Sequence, residues 1–225
     1  MGQPDLVILV PVLHRPKNID PLMESIRVAT PHARTVFLSS PDSPAETDAL
    51  RERNLEVWEM PFASGPGDYA RKINYGSTHT DEAFIFLGAD DLRFHAGWFE
   101  AAAALMTRRV LVVGTNDLGN PRVLAGEHAT HSLVARRYVR RGTIDGGEGL
   151  LHDGYPHEFV DDEFVGTAKA RGVWAFAADA VVEHLHPHWG KADTDFIYAA
   201  SRSRLRVGRR LWRERCPLWG ETPSR

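Results

Sequence analysis

The chain has 225 residues, of which 43% are hydrophobic and 25% are charged, and its formal net charge is −3. This composition is that of a globular protein with a sizeable core, so it excludes general disorder and a strong attraction of the whole chain to nucleic acid. The single cysteine, Cys216, excludes an internal disulfide framework. The apolar run at residues 6–12 is too short for a transmembrane helix and lacks the layout of a signal peptide, so we expect a cytoplasmic protein with no transmembrane segment.

The first hundred residues alternate short apolar runs with amphipathic segments. The runs are rich in β-branched and aromatic residues, which predicts buried strands over residues 6–12, 35–38, 55–60 and 84–87. Helices are predicted between them, over residues 19–29, 45–53 and 69–77. This alternation predicts an α/β protein with a Rossmann-like, mostly parallel sheet flanked by helices.

The second half of the chain is less regular. Its apolar periodicity predicts helices over residues 96–106 and 159–171 and strands over residues 110–113, 132–135 and 174–182. Residues 142–155 are rich in Gly, Asp and His and contain few core candidates. They are expected to form a long loop or a partly mobile flap.

Polar residues follow several of the predicted strands directly. Residues 11–15 follow the first strand, Asp42 the second, Asp90 and Asp91 the fourth, and residues 183–188 the last. Because the carboxyl ends of parallel strands share one edge of a sheet, these segments are expected to converge there. Paired carboxylates at that edge suit Mg²⁺ or Mn²⁺ carrying a diphosphate. The alternative is that Asp91 caps the next predicted helix.

Three alternating histidines, His184, His186 and His188, lie in the last of these segments. In an extended backbone all three would point the same way, and imidazole is a common metal ligand. One of them, with His186 favoured over His184, would complete a metal site begun by Asp90. The alternative is a group of surface histidines in a loop broken by proline.

Charged residues elsewhere admit two interpretations each. The acidic run Asp161, Asp162 and Glu163 at a predicted helix start supplies either a general base or first-turn acids that the helix dipole favours. Arg71 and Lys72, after a glycine-rich loop, either neutralise a diphosphate or lie on a solvated helix face.

The C-terminal residues 202–215 carry seven arginines, with Leu205, Leu211 and Trp212 among them. This basic segment either contacts an anionic lipid, nucleic acid or acidic protein, or forms a solvated terminal helix that docks through its few apolar residues.

Four motifs resemble, in their order, those of the family-2 glycosyltransferases, which are inverting, nucleotide-sugar-dependent enzymes with a glycosyltransferase-A fold. They are Val10-Pro11-Val12-Leu13-His14-Arg15-Pro16, Ala70-Arg71-Lys72-Ile73-Asn74-Tyr75-Gly76, Phe86-Leu87-Gly88-Ala89-Asp90-Asp91 and Val160-Asp161-Asp162-Glu163-Phe164. They resemble the family's opening strand and turn, its "A-R-N-x-G" helix, its "F-L-D-x-D-D" signature and its later "E-D" motif. The resemblance covers residues 5–190 and extends to small phage and bacterial members.

The resemblance implies roles for these residues. Pro11, Arg15 and Asp42 would hold the base and ribose, and Val12, His14, Arg71 and Asp90 would complete the nucleotide site. Asp90 and Asp91, with His186 or His184, would bind Mn²⁺ or Mg²⁺. Asp162 would be the catalytic base, with Asp161 or Glu163 as substitutes. Gly88 departs from the pattern, because the family has its first aspartate there, and this shifts metal binding to Asp91 and a histidine.

We therefore expect an inverting, metal-assisted glycosyltransferase that uses a nucleotide-sugar donor and an acceptor that is a glycan, a protein or a modified nucleic acid. Residues 1–115 would bind the nucleotide, residues 116–200 would bind the acceptor, and residues 201–225 would form a basic tail. Tyr155 and Trp189 are candidates for stacking on a sugar ring. The alternatives are a metal-dependent hydrolase built on the three histidines and a non-catalytic nucleotide- or glycan-binding module.

Overall fold

The structure, a computed structural model, describes residues 5–199 and 201–223, and for Ile197 and residues 201–203 it describes the backbone only. One mixed sheet has the strand order β3-β2-β1-β4-β7-β6-β8-β5. The strands are β1 (Leu6–Pro11), β2 (Arg34–Ser39), β3 (Val57–Glu59), β4 (Phe84–Leu87), β5 (Leu92–Phe94), β6 (Val112–Asn116), β7 (Ser132–Ala135) and β8 (Trp174–His184). The helices are α1 (Ile19–Ala29), α2 (Pro44–Glu52), α3 (Asp68–Thr78), α4 (Trp98–Leu105), α5 (Pro121–Leu124), α6 (Arg136–Val139), α7 (Val160–Ala170), α8 (Phe196–Ala199) and α9 (Ser201–Arg215). Short 3₁₀ helices lie at Pro16–Asn18, Pro187–Trp189 and Cys216–Trp219.

The predicted α/β architecture is confirmed. Strands β3, β2, β1 and β4 pair in parallel, and the predicted strands and helices of the first hundred residues occur within a few residues of the expected bounds. All six residues of β1 are buried, because helices cover both faces of the sheet. One apolar layer contains α1 and α4, and the other contains α3 and α7.

The second half of the sheet reverses direction. Strand β7 runs antiparallel to both β4 and β6, with Phe86 opposite Leu133. Strand β5, which the sequence did not predict, pairs antiparallel with β8 and places Leu92 opposite His184. As a result, the beginning of β7 lies at the same edge as the ends of β1, β4, β6 and β8. We call this the site edge.

Residues 142–155 form a loop, as predicted, but the expectation of few core residues is wrong. Leu150, Leu151 and Tyr155 are buried. Asn74 fixes the loop with two hydrogen bonds, donating to the Leu151 carbonyl and accepting from the Leu151 N–H, both at 2.8 Å. The Tyr155 hydroxyl donates to Glu163 at 2.9 Å, so this side chain belongs to the core and does not face a sugar site.

The basic C-terminal segment forms a helix that docks on the rest of the chain through apolar residues, in agreement with the second of the two interpretations of its sequence. Trp212, Cys216 and Trp219 are buried in the same apolar layer as α7. Gly166 makes room for the indole, since a Cβ at this position would lie 2.3 Å from the Trp219 ring. The predicted Arg202 side chain lies outside the described residues. Within residues 5–199 and 201–223, every helix is too short or too polar for a membrane span.

Gly88 directly follows β4 and lies against the backbone of β1. Its N–H donates to the Leu9 carbonyl at 2.9 Å, and a Cβ at this position would lie 2.7 Å from the same oxygen. Because that oxygen is backbone, it cannot rotate away as a flexible side chain would. Strand packing therefore explains why this chain has Gly88 where the similar family-2 motif has its first aspartate.

Replacing Gly88 by Ala or by Asp is expected to lower the free energy of unfolding by about 1–3 kcal/mol, because both add the Cβ that meets the strand backbone. Urea denaturation of the two variants measures the loss. Gly88→Ala is the matched control for bulk without charge. A Gly88→Asp protein of wild-type stability would contradict this account.

Candidate functional site

Four of the predicted site residues meet at the site edge. Arg15 Nη1 lies 3.4 Å from Asp90 Oδ1 and 3.3 Å from Asp91 Oδ2. His184 Nε2 lies 3.4 Å from Asp91 Oδ2. The short turn between β4 and β5 presents Asp90 and Asp91, which we call the acidic pair, and the pairing of β5 with β8 brings His184 to them.

The alternative role for Asp91 as a helix cap is wrong. Helix α4 begins at Trp98, with Gly97 at its N-cap position, because β5 intervenes between the acidic pair and the helix. The Asp91 carbonyl instead accepts a hydrogen bond from the Leu185 N–H at 2.8 Å. This bond joins the acidic pair to the chain that leaves β8.

The two carboxyl groups of the acidic pair differ in charge state. Burial raises the pKa of Asp90 well above its usual range, and the negative charge of Asp91 adds to the rise. Burial opposes ionisation of Asp91 too, but His184, Tyr198 and Arg15 outweigh it and hold the pKa of Asp91 below its usual range. Burial disfavours the charged form of His184, yet Asp91 raises the pKa of His184 on balance. The pair therefore shares its charge unequally, with Asp91 the ionised partner.

His131, immediately before β7, is a site residue that the sequence did not reveal. Its Nδ1 lies 2.8 Å from the Leu87 carbonyl, and its ring centroid is 5.3 Å from that of His184. Burial lowers the pKa of His131 to about 4, so the ring is neutral and Nδ1 carries the proton that it donates to Leu87. Its Nε2 and the Oδ1 of Asp91 are both buried and have no hydrogen-bond partner among the described residues.

The expectation that the three alternating histidines point the same way is wrong. Strand β8 ends at His184, and residues 187–189 turn into a 3₁₀ helix. The His186 ring stays 5.0 Å from that of His184, and burial lowers its pKa to about 4. His188 is exposed and packs on Trp189, with ring centroids 4.6 Å apart.

Arg15 is held from its other side by the segment that precedes α9. Its Nε lies 2.9 Å from Asp195 Oδ2, and its Cζ is 4.0 Å from the centre of the Tyr198 ring. The Tyr198 hydroxyl donates to Asp91 at 2.5 Å. Asp195 and Tyr198 carry no recognisable motif and reach the site only through the fold. Together they cover the acidic pair.

The remaining predicted nucleotide residues lie beside the ends of β1 and β2. Asp42 accepts hydrogen bonds from the N–H and hydroxyl of Ser64 at 2.9 and 2.5 Å, and Arg71 donates to the Ala63 carbonyl at 3.1 Å. These two side chains therefore fix the loop before α3. Serine hydrogen bonding lowers the pKa of Asp42, and the charge of the nearby His14 adds a small effect.

The end of β1 contacts the neighbouring segments mainly through its backbone. Pro11 lies in β1 opposite Leu38, and the Val12 side chain is buried. The Val12 carbonyl accepts a hydrogen bond from Lys72 Nζ at 2.8 Å. Lys72 is fully buried and pairs with Asp68 at 2.7 Å, so a solvated helix face is wrong for this lysine.

The three acids at the start of α7 face two directions. Asp161 lies 3.0 Å from His128 Nε2, and Asp162 lies 2.5 Å from Arg122 Nη1. The ligand atoms of His128, Asp161 and Asp162 all lie within 4.8 Å of one another. Glu163, by contrast, is buried and accepts two hydrogen bonds from one guanidinium, that of Arg215, at 2.7 and 2.6 Å.

The two partly buried acids of this group, Asp161 and Asp162, differ in proton affinity. Burial raises the pKa of Asp162, and the charge of Asp161 adds to the rise. For Asp161, burial acts in the same direction but the hydrogen bond from His128 prevails and lowers its pKa. One carboxylate is therefore fixed as an anion, and its neighbour has the greater affinity for a proton.

The two groups of acids act electrostatically on the same partly buried side chains. Burial raises the pKa of the Tyr69 hydroxyl, and the negative charges of Asp161 and Asp91 both add to the rise. Asp161 also contributes to the raised pKa of His184. The start of α7 and the acidic pair therefore influence each other's surroundings through their charges.

No protein-family model matches the sequence, and no curated protein matches it. Solved structures do match. A mannosyltransferase, PcManGT, from Pyrobaculum calidifontis in complex with GDP-Man and Mn²⁺ is 17% identical, with a TM-score of 0.63 over 97% of this chain and 69% of that chain. The glucosyl-3-phosphoglycerate synthase from Mycobacterium tuberculosis, in complex with Mn²⁺, UDP and glucosyl-3-phosphoglycerate, is 13% identical, with a TM-score of 0.62 over 96% of this chain and 81% of that chain. These similarities establish the glycosyltransferase-A fold that the motifs implied.

The neutral, buried His131 makes stability sensitive to acid. The unfolded chain binds this proton near pH 6.5, whereas the folded protein binds it only near pH 4. The free energy of unfolding should therefore fall as the pH drops from about 6.5 to about 4, with His131 contributing about 3 kcal/mol of the loss.

Urea denaturation across this pH range, in buffer with chelator, measures the effect. The variant His131→Gln should show a shallower loss than the wild type. His79→Gln removes an exposed imidazole and serves as the control. Identical pH slopes for His131→Gln and the wild type would contradict a buried neutral ring.

Proposed function

We propose that the protein is a glycosyltransferase that moves a sugar from a nucleoside-diphosphate donor to an acceptor hydroxyl, with inversion and with the help of Mn²⁺ or Mg²⁺. The proposal rests chiefly on one observation. Asp91 and His131 both lie beside His184, and each has a buried acceptor atom, Oδ1 and Nε2, without a hydrogen-bond partner among the described residues. The charge of Asp161, from the second group of carboxylates, contributes to the raised pKa of His184.

These side chains fit a divalent cation. A carboxylate oxygen and neutral imidazole nitrogens are ligands of Mn²⁺, and buried acceptor atoms without a donor are costly unless a cation or donor approaches them. Asp91 and His184 would hold the ion, with Asp90 and His131 at its border and His186 behind them. The cation would offset the negative charge of the departing diphosphate. The solved mannosyltransferase was obtained with Mn²⁺, and the solved synthase with Mn²⁺ or Mg²⁺.

Arg15 would serve the donor in a second way. Its guanidinium, now shared between the acidic pair and Asp195, is a planar donor suited to phosphate oxygens. A diphosphate that arrives with a cation on Asp91 would take over these hydrogen bonds. The base and ribose would lie beside Pro11, Val12 and His14, where Asp42 and Arg71 fix the adjoining loop.

Asp162 is the proposed catalytic base. Its raised proton affinity suits a group that accepts a proton from the acceptor hydroxyl as that oxygen attacks the anomeric carbon. Asp161, held ionised by His128, would orient the acceptor and favour the protonated form of its neighbour. Glu163 is unsuited to the role, because its carboxylate faces the core and is occupied by Arg215.

The hydrolase built on three histidines lacks its premise, because His188 lies on the surface against Trp189. A non-catalytic binding module differs from the proposed enzyme only in turnover. Consumption of a nucleotide sugar in the presence of Mn²⁺ separates these two alternatives.

Donor binding is expected to depend on metal through Asp91 and His184. In a thermal-shift panel of UDP, GDP and their sugars, one nucleotide with Mn²⁺ should stabilise the wild type by about 2.7 kcal/mol at a ligand concentration of 100 Kd. Asp91→Asn and His184→Asn should lose the Mn²⁺-dependent part of the shift. His188→Asn, which removes an exposed histidine from the same segment, should keep it. A full Mn²⁺ response in Asp91→Asn would refute the metal assignment.

Asp162→Asn is expected to lower the rate of sugar transfer by about 10²–10⁴-fold, because general-base assistance is lost. Nucleotide binding should stay within twofold of wild type, since Asp162 lies on the acceptor side. Transfer is followed by release of the nucleoside diphosphate, and binding by calorimetry. If the rate of sugar transfer is unchanged in Asp162→Asn and falls in Asp161→Asn, Asp161 is the catalytic base and Asp162 is not.

A further inference from the structure

A cavity of about 230 Å³ lies between the start of α7 and helix α9. Its lining combines one carboxylate, two guanidinium groups and two aromatic rings, from Arg122, Phe159, Asp162, Arg209 and Trp212. We call it the α7–α9 cavity. The proposed base therefore lines a pocket of its own, and α9 forms the other wall of that pocket.

The lining of this cavity holds more donors than acceptors. Arg122 donates one N–H to Asp162, but its Nε is buried and has no acceptor in the described part of the chain. The same holds for the indole Nε1 of Trp212, whose side chain is 3% exposed. Arg209 is exposed, and the structure pairs it with no carboxylate among residues 5–199 and 201–223. The lining thus combines two guanidinium groups and an indole ring with one carboxylate.

A buried donor without an acceptor is costly, so a cavity that gathers such donors is suited to a ligand that brings acceptors. Phosphate and carboxylate oxygens match the fork of a guanidinium group, and aromatic walls accommodate a short carbon skeleton. The volume is below the roughly 300–1,000 Å³ typical of pockets for larger ligands, which restricts the occupant to a few carbons.

We infer that the α7–α9 cavity binds the acceptor, and that this acceptor is a small hydroxylated anion, a phosphate or a carboxylate. Its anionic group would contact Arg122, Arg209 and the Trp212 N–H, and its hydroxyl would face Asp162. This inference rests on the proposed function for the identity of the reaction, but the anion site itself rests on the lining of the cavity.

The outer face of α9 supports the same assignment. Arg206, Arg210 and Arg213 line a second, open groove together with Arg209. Clustered cations at the rim of a cleft speed the capture of anions, and a single rim charge acts on the association rate rather than through contact with the bound anion. In this inference the basic segment serves the α7–α9 cavity.

Calorimetry with three probes of similar size tests the inference. Glycerol 3-phosphate and glycerate carry a hydroxyl and an anionic group, and glycerol is the neutral match. We expect at least one of the two anions to bind the wild type and glycerol not to bind. The preference between them identifies phosphate or carboxylate as the anionic group. Arg209→Gln should weaken anion binding at least tenfold, and Trp212→Phe, which keeps the ring and removes the N–H, should weaken it several-fold.

Arg206→Gln is the matched control, because Arg206 lies on the same helix and outside the α7–α9 cavity. It should change anion binding less than twofold. An equal loss in Arg206→Gln would assign binding to the general charge of α9 and overturn the inference, as would binding of neither anion or equal binding of glycerol.

Donor binding is measured on the same proteins with UDP or GDP and Mn²⁺, and it should be unchanged in Arg209→Gln. If the wild type binds the anion through Arg209 but binds neither nucleotide, the proposed function is refuted and the anion site stands. If the wild type binds a nucleotide but neither anion, the anion site is refuted and the proposed function stands.

Discussion

The antiparallel insertion of β7 between β4 and β6 determines which side chains meet at the site. It places the segment before β7 beside the end of β4, so that His131 joins Asp91 at one edge of the sheet. The pairing of β5 with β8 then fixes His184 opposite Leu92, next to the acidic pair. Two backbone registers therefore bring together Asp91, His131 and His184 from three distant parts of the chain.

The charges at this edge are balanced by the protein itself. Burying two adjacent carboxylates is costly: burial raises the pKa of Asp90, whereas His184, Tyr198 and Arg15 hold the pKa of Asp91 below its usual range. Arg15 contributes to both carboxylates and is in turn held by Asp195 and Tyr198. Arg15 thus offsets part of the negative charge of the acidic pair, and in the proposed function the same guanidinium would meet the diphosphate of the donor.

Helix α7 separates structural from chemical carboxylates. Glu163 turns inward, where Tyr155 and Arg215 satisfy it and connect the long loop to α9. Asp161 and Asp162 instead contact His128 and Arg122, and their pKa values shift in opposite directions. Because α9 docks on the same helix, the ion pair that stabilises the C-terminal segment also shapes the cavity beside the proposed base.

The sequence by itself determined most of the local structure, because hydrophobic periodicity and turn residues act over short range: the bounds of α1 and β7 and the acids after β4 were all predictable. It did not determine strand direction, because a four-residue apolar strand such as β7 gives the same pattern whether it runs parallel or antiparallel to its neighbours. The position of His131 beside the end of β4 was therefore not predictable. Nor did it separate Asp162 from Glu163, because neighbours on a helix differ by about 100° in direction and only packing decides which one is buried. The tertiary structure decided these points through the contacts that each side chain finds after the sheet has closed.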